Sequence, residues 1–163
     1  FVTALVLKYT FPNAKIVVVG AVREKLNYFQ FADEVYLINE LPDNFMIDHA
    51  FECVGGSHSE DAINQIIDYI NPEGSIALMG VSESNVPINT RMILEKGLTL
   101  LGNSRSGYED FAASIEFLEK FPDARDYLNT IISDEIEVKS IKDISEAFDK
   151  DLNNEFKTIM KWQ

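Results

Sequence analysis

Cysteine and histidine are scarce in this 163-residue sequence, which has one cysteine, Cys53, and two histidines, His49 and His58. A disulfide framework is therefore impossible, and this is typical of proteins from a reducing cytoplasm. Thiolate zinc sites usually take three or four ligands from Cys and His. We therefore expect no such metal site within these residues. Neither histidine has a Ser or Asp partner at a recognisable spacing, which favours structural or solvated roles over catalysis.

Positive charge is also scarce, with 14 Lys and Arg against 27 Asp and Glu and a net charge of −13. Such a surface repels nucleic acid and anionic membranes, so we expect neither as a partner. No apolar run approaches the ~18 residues that suggest a membrane span. The N-terminal FVTALVLKYTFPN lacks the charged start and cleavage site of a signal peptide. These absences predict a cytoplasmic protein, and the abrupt helical start suggests part of a longer one.

Short apolar strands alternate with helical segments along the whole chain. Strands are predicted at 15–19, 34–38, 47–56, 75–81, 98–104, 136–138 and 157–161, and helices at 1–11, 23–31, 60–70, 90–96, 106–121, 124–131 and 141–152. This alternation is typical of βαβ units and predicts one α/β domain, 1–163, with a doubly wound parallel sheet.

Local signals suggest several boundaries. Ser57 and Glu60 have capping-box spacing for the third helix, NPEG (71–74) is typical of a turn, and Gly97 is placed to end the helix at 90–96. The acidic run ISDEIE (132–137) is most simply a solvated surface.

Four predicted strands end in glycine, at VVVG (17–20), ECVGG (52–56), LMGV (78–81) and LLGN (100–103). Ligands of open parallel sheets bind beyond the carboxyl ends of the strands. A glycine there lets a ligand approach the backbone, although each glycine alone could simply make a turn.

The order ECVGG, helix, NPEGSIALMGV, short helix, KGLTLLGNSRSGYEDF resembles the cofactor-binding half of the medium-chain dehydrogenase/reductase family. The ending SEAFDKDL…KTIMKW is most similar to the ribulose-5-phosphate reductases (ribitol-5-phosphate dehydrogenases) of teichoic acid and capsule synthesis. The resemblance implies a Rossmann-like fold. The family's first strand and GxGxxG fingerprint are missing from this chain and are expected upstream of Phe1. The catalytic zinc and its ligands would lie in the other domain, so the chain alone should be inactive.

The resemblance also suggests which cofactor is used. Where NAD-dependent members have an acidic residue that binds the ribose hydroxyls, this chain has Gly20, and Arg23 follows three residues later. An arginine can bind a 2′-phosphate, and Lys25 matches a ribose-contacting lysine. We therefore favour NADP(H) over NAD(H), while Arg23 and Lys25 could also be solvated charges.

Further cofactor contacts follow from the resemblance alone. Cys53, Val54 and Gly55 would lie beside the riboses, although the Cys53 sulfur is better explained as a small buried apolar group. The nicotinamide end would meet Gly80, Val81, Ser82, Asn103 and Ser104. Arg105 could reach a substrate phosphate or be a surface cation.

Two classes of function remain open. The whole protein could be a zinc-dependent NADP(H) oxidoreductase that reduces a keto-sugar phosphate such as ribulose 5-phosphate. Alternatively, the chain could be a non-catalytic Rossmann-type binding or dimerisation module. A nucleotide-dependent transferase has less support, because its site would also need the missing first loop. The resemblance implies a homodimer through strand 98–104 and a cytidylyltransferase partner.

Overall fold

The computed structural model describes residues 1–162. The helices are α1 (Val2–Thr10), α2 (Arg23–Leu26), α3 (Ser59–Tyr69), α4 (Thr90–Lys96), α5 (Tyr108–Lys120), α6 (Pro122–Asn129) and α7 (Ile141–Asn153). The strands are β1 (Val17–Gly20), β2 (Glu34–Leu37), β3 (Ile47–Glu52), β4 (Ile70–Leu78), β5 (Thr99–Gly102), β6 (Ile132–Val138) and β7 (Lys157–Trp162). Every strand pair is parallel, which confirms the α/β class.

Contacts divide the chain into two compact units. The first unit contains Phe1–Glu40 and the chain from Tyr108 onward, and the second contains Leu41–Gly107. The first unit has the two-stranded sheets β1–β2 and β6–β7, and the second has the three-stranded sheet β3–β4–β5. None of the helices within residues 1–162 has the length and hydropathy of a membrane span.

The second unit is built around isoleucines from α3 and β4. Ile63 and Ile67 lie one turn apart on α3, so their side chains share one face of the helix. They pack with Ala50, Ile70 and Ile76 in a cluster whose members are less than a tenth exposed. Burial of this apolar face fixes α3 against the sheet.

The first unit has a core of aromatic rings around Leu5, Phe31 and Ala124. Phe1 meets Phe31 edge to face, with ring centroids 5.2 Å apart, and Tyr127 meets Phe31 in the same way. Tilted and edge-to-face contacts of this kind are the preferred geometry for aromatic pairs.

Three local predictions are wrong. The helix predicted at 23–31 ends at Leu26, because the amides of residues 27–29 each donate to the carbonyl three residues earlier and so make tighter turns. Ser57 is not the cap of α3, since it lies inside a 3-10 turn, Gly56–His58, and the helix starts at Ser59. The NPEG segment lies within β4 and not between elements.

NPEG still interrupts the β3–β4 ladder. Ile47 pairs with Ile70 and His49 pairs with Ser75, so two steps along β3 correspond to five along β4. Glu73 in this bulge has a φ of 65°. Turn-forming residues thus made a bulge inside a strand, which local composition does not distinguish from a turn.

The acidic run at 132–137 belongs to β6, which starts four residues earlier than the strand predicted at 136–138. Its carboxylates lie at the surface, as predicted, and each of the three forms an ion pair: Asp134 with Lys150, Glu135 with Lys161 and Glu137 with Lys139. These exposed pairs neutralise the run, and each adds little to stability.

Candidate cofactor-binding site

The predicted residues of the second unit come together where β3 and β4 end. Beyond the strands, the Met79 and Gly80 amides donate to the Glu52 carbonyl at 2.9 and 3.1 Å. The Gly56 amide donates to the Val81 carbonyl at 2.8 Å. The segments 53–56 and 79–82 therefore lie side by side, and we call this contact the β3–β4 junction.

Glycine is necessary at both crossing points of these segments. A Cβ on Gly80 would lie 2.4 Å from the Gly55 amide nitrogen, which is closer than non-bonded atoms approach. Gly55 has a φ of 67°, and its Cβ would lie 2.9 Å from the Val81 carbonyl oxygen. The close contact of the two backbones accounts for these two glycines.

Glu52 stabilises the β3–β4 junction by accepting hydrogen bonds from both segments, a role that was not predicted. Its side chain is only 2% exposed. Oε1 accepts the Val54 amide at 2.7 Å and the Gly55 amide at 2.9 Å, and Oε2 accepts the Gly80 amide at 3.2 Å. Three amide donors offset the cost of removing a carboxylate from water.

Two side chains of the β3–β4 junction, those of Val54 and Val81, are apolar and exposed. Val54 is 59% and Val81 is 85% exposed. Cys53 is exposed as well, so its predicted role as a buried apolar group is wrong. A Cβ on Gly56 or Gly102 would meet nothing within 4 Å, so the backbone is open to a ligand at those two positions.

Ser82 and the Asn103–Ser104 pair have different environments. The Ser82 hydroxyl lies 2.9 Å from the Ser59 hydroxyl and 3.3 Å from the Gly56 carbonyl, so it ties the 79–82 segment to the start of α3. Asn103 and Ser104 follow β5, are exposed, and are joined by a 3.0 Å bond from the Ser104 amide to Asn103 Oδ1. Arg105 is also exposed, with a φ of 68°.

In the first unit, Gly20 is the last residue of β1, and α2 starts at Arg23. The Arg23 guanidinium lies 2.6 Å from both carboxylate oxygens of Glu40, an ion pair that was not predicted. Lys25 Nζ lies 5.6 Å from the centre of the Phe156 ring. Both cations are at the surface, and each contacts another side chain of the same unit.

The first unit also contains a cavity of about 490 Å³, but none of the predicted site residues lines it. Its lining is acidic or neutral: Glu24, Asn27, Tyr28, Gln30, Tyr127, Thr130 and Glu155. The Tyr28 hydroxyl donates to Glu155 at 3.1 Å, and this bond raises the pKa of Tyr28 above its ordinary range. Two carboxylates and no cation make this cavity unsuitable for phosphate groups.

The structure gives His49 a partner that the sequence did not indicate. Its Nδ1 lies 2.8 Å from the Ser75 hydroxyl, across the β3–β4 ladder. A cross-strand pair of this kind is a structural contact. Within residues 1–162, no group of three or more His, Cys, Asp or Glu side chains is arranged to hold a metal ion.

Comparison with known proteins places these features in one family. The profile of the family described as "Zinc-binding dehydrogenase" matches residues 26–120. Ribulose-5-phosphate reductase 1 of Staphylococcus aureus is 50% identical over 163 residues, which cover 99% of this chain and 48% of that protein. Ribulose-5-phosphate reductase of Bacillus spizizenii is 48% identical, and the match covers 100% of this chain and 48% of that protein. The chain spans about half the length of the curated relatives it matches.

Among solved structures, that of S. aureus TarJ in complex with NADPH superposes with a TM-score of 0.95. It is 49% identical, and the match covers 99% of this chain and 51% of that one. The identity and the superposition both extend over the whole described fold, including β6 and β7, which lie beyond the part matched by the family profile.

Proposed function

Because this chain belongs to the zinc-binding dehydrogenase family, we propose that it is the cofactor-binding half of a reductase that converts ribulose 5-phosphate to ribitol 5-phosphate. The observation that carries the proposal is identity of about 50% with ribulose-5-phosphate reductases along 99% of the chain. In the proposed reaction, NADPH and a proton are consumed, and NADP⁺ and the alcohol are released.

The proposed cofactor is NADP(H). TarJ, which is 49% identical, was crystallised with NADPH, and Gly20 leaves no carboxylate at the end of β1 to repel a 2′-phosphate. Arg23 would bind that phosphate through its guanidinium, after exchanging its exposed ion pair with Glu40. Such pairs contribute only about 0–1 kcal/mol, so a dianionic phosphate can replace the carboxylate. Lys25 would contact the ribose.

The second unit would bind the nicotinamide half of the cofactor. Val54 and Val81 offer apolar surface for the ring and ribose, and the glycine backbone beside them lets the ligand approach closely. Cys53, Gly55, Gly80, Ser82, Asn103 and Ser104 complete the proposed set. When bound, the nicotinamide supplies the hydride, and these residues fix the face that it presents.

Zinc is proposed for the whole protein because the matching family is described as "Zinc-binding dehydrogenase", and its ligands would lie outside this chain. A zinc ion of this type acts as a Lewis acid on the substrate carbonyl. The 163-residue chain by itself is therefore expected to show no turnover.

We also propose a homodimer through residues 98–104. In the second unit, β5 pairs with β4 and is the last strand of its sheet, and Leu101 on it is 54% exposed. An unpaired edge with exposed apolar residues can pair with a second copy. Light scattering of the full-length protein tests this, since Leu101→Lys should give a monomer while Glu95→Lys on α4 should not. A wild-type monomer at all concentrations would contradict the dimer.

A cytidylyltransferase partner and a cytoplasmic location belong to the same proposal. The partner rests on the family resemblance alone, and the location rests on the single cysteine, which is typical of a reducing compartment. The alternative function is a non-catalytic binding or dimerisation module, which the exposed β5 edge would also suit.

A steady-state assay separates the two functions. The full-length protein, supplied with zinc, should oxidise NADPH when ribulose 5-phosphate is added, and the product should be ribitol 5-phosphate by mass spectrometry. Removal of zinc by a chelator should abolish turnover. A full-length protein that binds zinc but never oxidises NADPH with this substrate would contradict the reductase and favour the module.

A further inference from the structure

From the junction between β3 and β4 we infer that Glu52 is a positioning residue for the nicotinamide end of the cofactor. The inference rests on the proposed function. Glu52 is almost completely buried, so it cannot contact the cofactor itself. Its carboxylate instead accepts amides from both segments that carry the proposed nicotinamide contacts.

The two oxygens have different tasks. Oε1 accepts the Val54 and Gly55 amides and so fixes the turn after β3, where Gly55 has its left-handed φ. Oε2 accepts the Gly80 amide and so fixes the segment after β4. One carboxylate thereby sets the spacing of the segments that present Val54 and Val81.

A carboxylate suits this position because it accepts at both oxygens. An amide side chain of the same shape has one acceptor oxygen and one NH₂ donor. In Glu52→Gln, the oxygen can keep the Val54 and Gly55 bonds, but the NH₂ then faces the Gly80 amide, donor against donor. Gly80 keeps its 3.1 Å bond to the Glu52 carbonyl, so the 79–82 segment should loosen without unfolding.

The neighbouring glycines leave no space for compensation. A Cβ on Gly80 would lie 2.6 and 2.7 Å from the two Glu52 oxygens. The carboxylate is thus packed directly against the Gly80 backbone, and a small displacement of either group moves the other. Val81, which is 85% exposed, directly follows Gly80, so a displacement of Gly80 also moves Val81.

The test compares two ligands on the full-length protein. NADPH has a nicotinamide end and an adenosine end, whereas 2′,5′-ADP has only the adenosine end with its 2′-phosphate. Glu52→Gln should raise the Kd for NADPH about tenfold, the scale of one lost charge-assisted hydrogen bond. The Kd for 2′,5′-ADP should stay within about twofold of wild type, because that ligand has no nicotinamide for Glu52 to position. Bound NADPH should also lose part of its fluorescence enhancement, which reports the environment of the nicotinamide.

Controls separate positioning from general loss of stability. Glu83→Gln removes one negative charge from an exposed residue directly after the 79–82 segment, and it should leave the Kd values for NADPH and 2′,5′-ADP unchanged. Glu52→Asp keeps both acceptor oxygens on a side chain one methylene shorter, and it should show a smaller loss that is again confined to NADPH. This variant serves as the test if Glu52→Gln does not fold.

The outcomes are distinguishable. Unchanged NADPH affinity in Glu52→Gln, or equal losses for NADPH and 2′,5′-ADP, would overturn the positioning role and leave the reductase proposal intact. A wild-type protein that binds neither ligand would overturn both.

Discussion

Arg23 and Glu40 form an ion pair in which Nη2 of the arginine lies 2.6 Å from both carboxylate oxygens. The two residues are 17 positions apart, and both side chains are more than half exposed. The cation proposed to bind the 2′-phosphate is therefore held, in the described structure, by an acid that the phosphate must replace. This relationship predicts that Glu40 competes with the cofactor for Arg23.

Glu40→Gln should therefore strengthen NADPH binding. Removal of an exposed ion pair frees up to about 1 kcal/mol, so the Kd for NADPH should fall by as much as about fivefold. NADH, without the 2′-phosphate, should bind as before. Fluorescence titration of the full-length protein measures both values, and Glu119→Gln, an exposed acid on α5, is the charge-matched control. An unchanged or larger Kd for NADPH would show that Glu40 does not compete.

Arg23→Ala should weaken NADPH binding by about 1–3 kcal/mol, the cost of a lost charge-assisted bond. The loss should be larger than for NADH, because only NADPH carries the phosphate that the guanidinium would bind. Arg125→Ala, at an exposed position on α6, controls for loss of one positive charge. Equal losses for both cofactors would assign Arg23 a structural role only.

Gly20→Asp should shift preference toward NADH by placing a carboxylate where a 2′-phosphate would bind. Gly20 has an ordinary φ, and an added Cβ would lie 3.0 Å from Leu26 Cδ2, which is the far end of a side chain and not backbone. Gly20→Ala supplies the same Cβ without charge, so it separates steric from electrostatic effects. The ratio of the two Kd values is the measurement. If Gly20→Asp and Gly20→Ala change that ratio equally, the carboxylate has no effect of its own.

Asp33→Asn should destabilise the first unit in a pH-dependent way. Asp33 accepts Lys8 Nζ at 2.6 Å and the Ile16 amide at 2.8 Å, and the Lys8 bond followed by the Ile16 bond holds the pKa of Asp33 below its ordinary range. Because the pKa is lowered on folding, the carboxylate stabilises the fold above its unfolded pKa of about 3.9. That stabilisation is lost as pH falls through the lower folded value.

Urea unfolding at several pH values measures this effect. At pH 7 the variant should be less stable than wild type by roughly 1 kcal/mol, a modest figure because the ion pair is partly exposed to solvent. The difference should shrink below about pH 4. Glu119→Gln serves again as the control, and a difference that stays constant between pH 7 and pH 3 would exclude the pKa mechanism.

The elements with strong local signals were predictable from the sequence. The apolar run before Gly20 made β1, and Gly97, with a φ of 62°, ends α4 as predicted. The segments 53–55 and 80–82 were expected at the carboxyl ends of strands along one edge of a sheet, and the structure brings them into contact. Periodicity and glycine placement act locally, so the sequence displays them directly.

Contacts between distant residues were not predictable in this way. Glu52 sits in a strand pattern where a charged residue normally faces solvent, and its burial depends on amides supplied by two separate segments. The pairing of Arg23 with Glu40 likewise depends on how β2 and its following loop lie beside α2. A glutamate directly before CVGG was the one available signal for the buried carboxylate.

Cofactor titration of the full-length protein tests the central proposal most directly. Addition of NADPH, followed by nicotinamide fluorescence, should give saturable binding with a Kd at least about tenfold lower than that for NADH, the ratio expected when one charged contact distinguishes them. Absence of NADPH binding at millimolar concentration, or a clear preference for NADH, would contradict it.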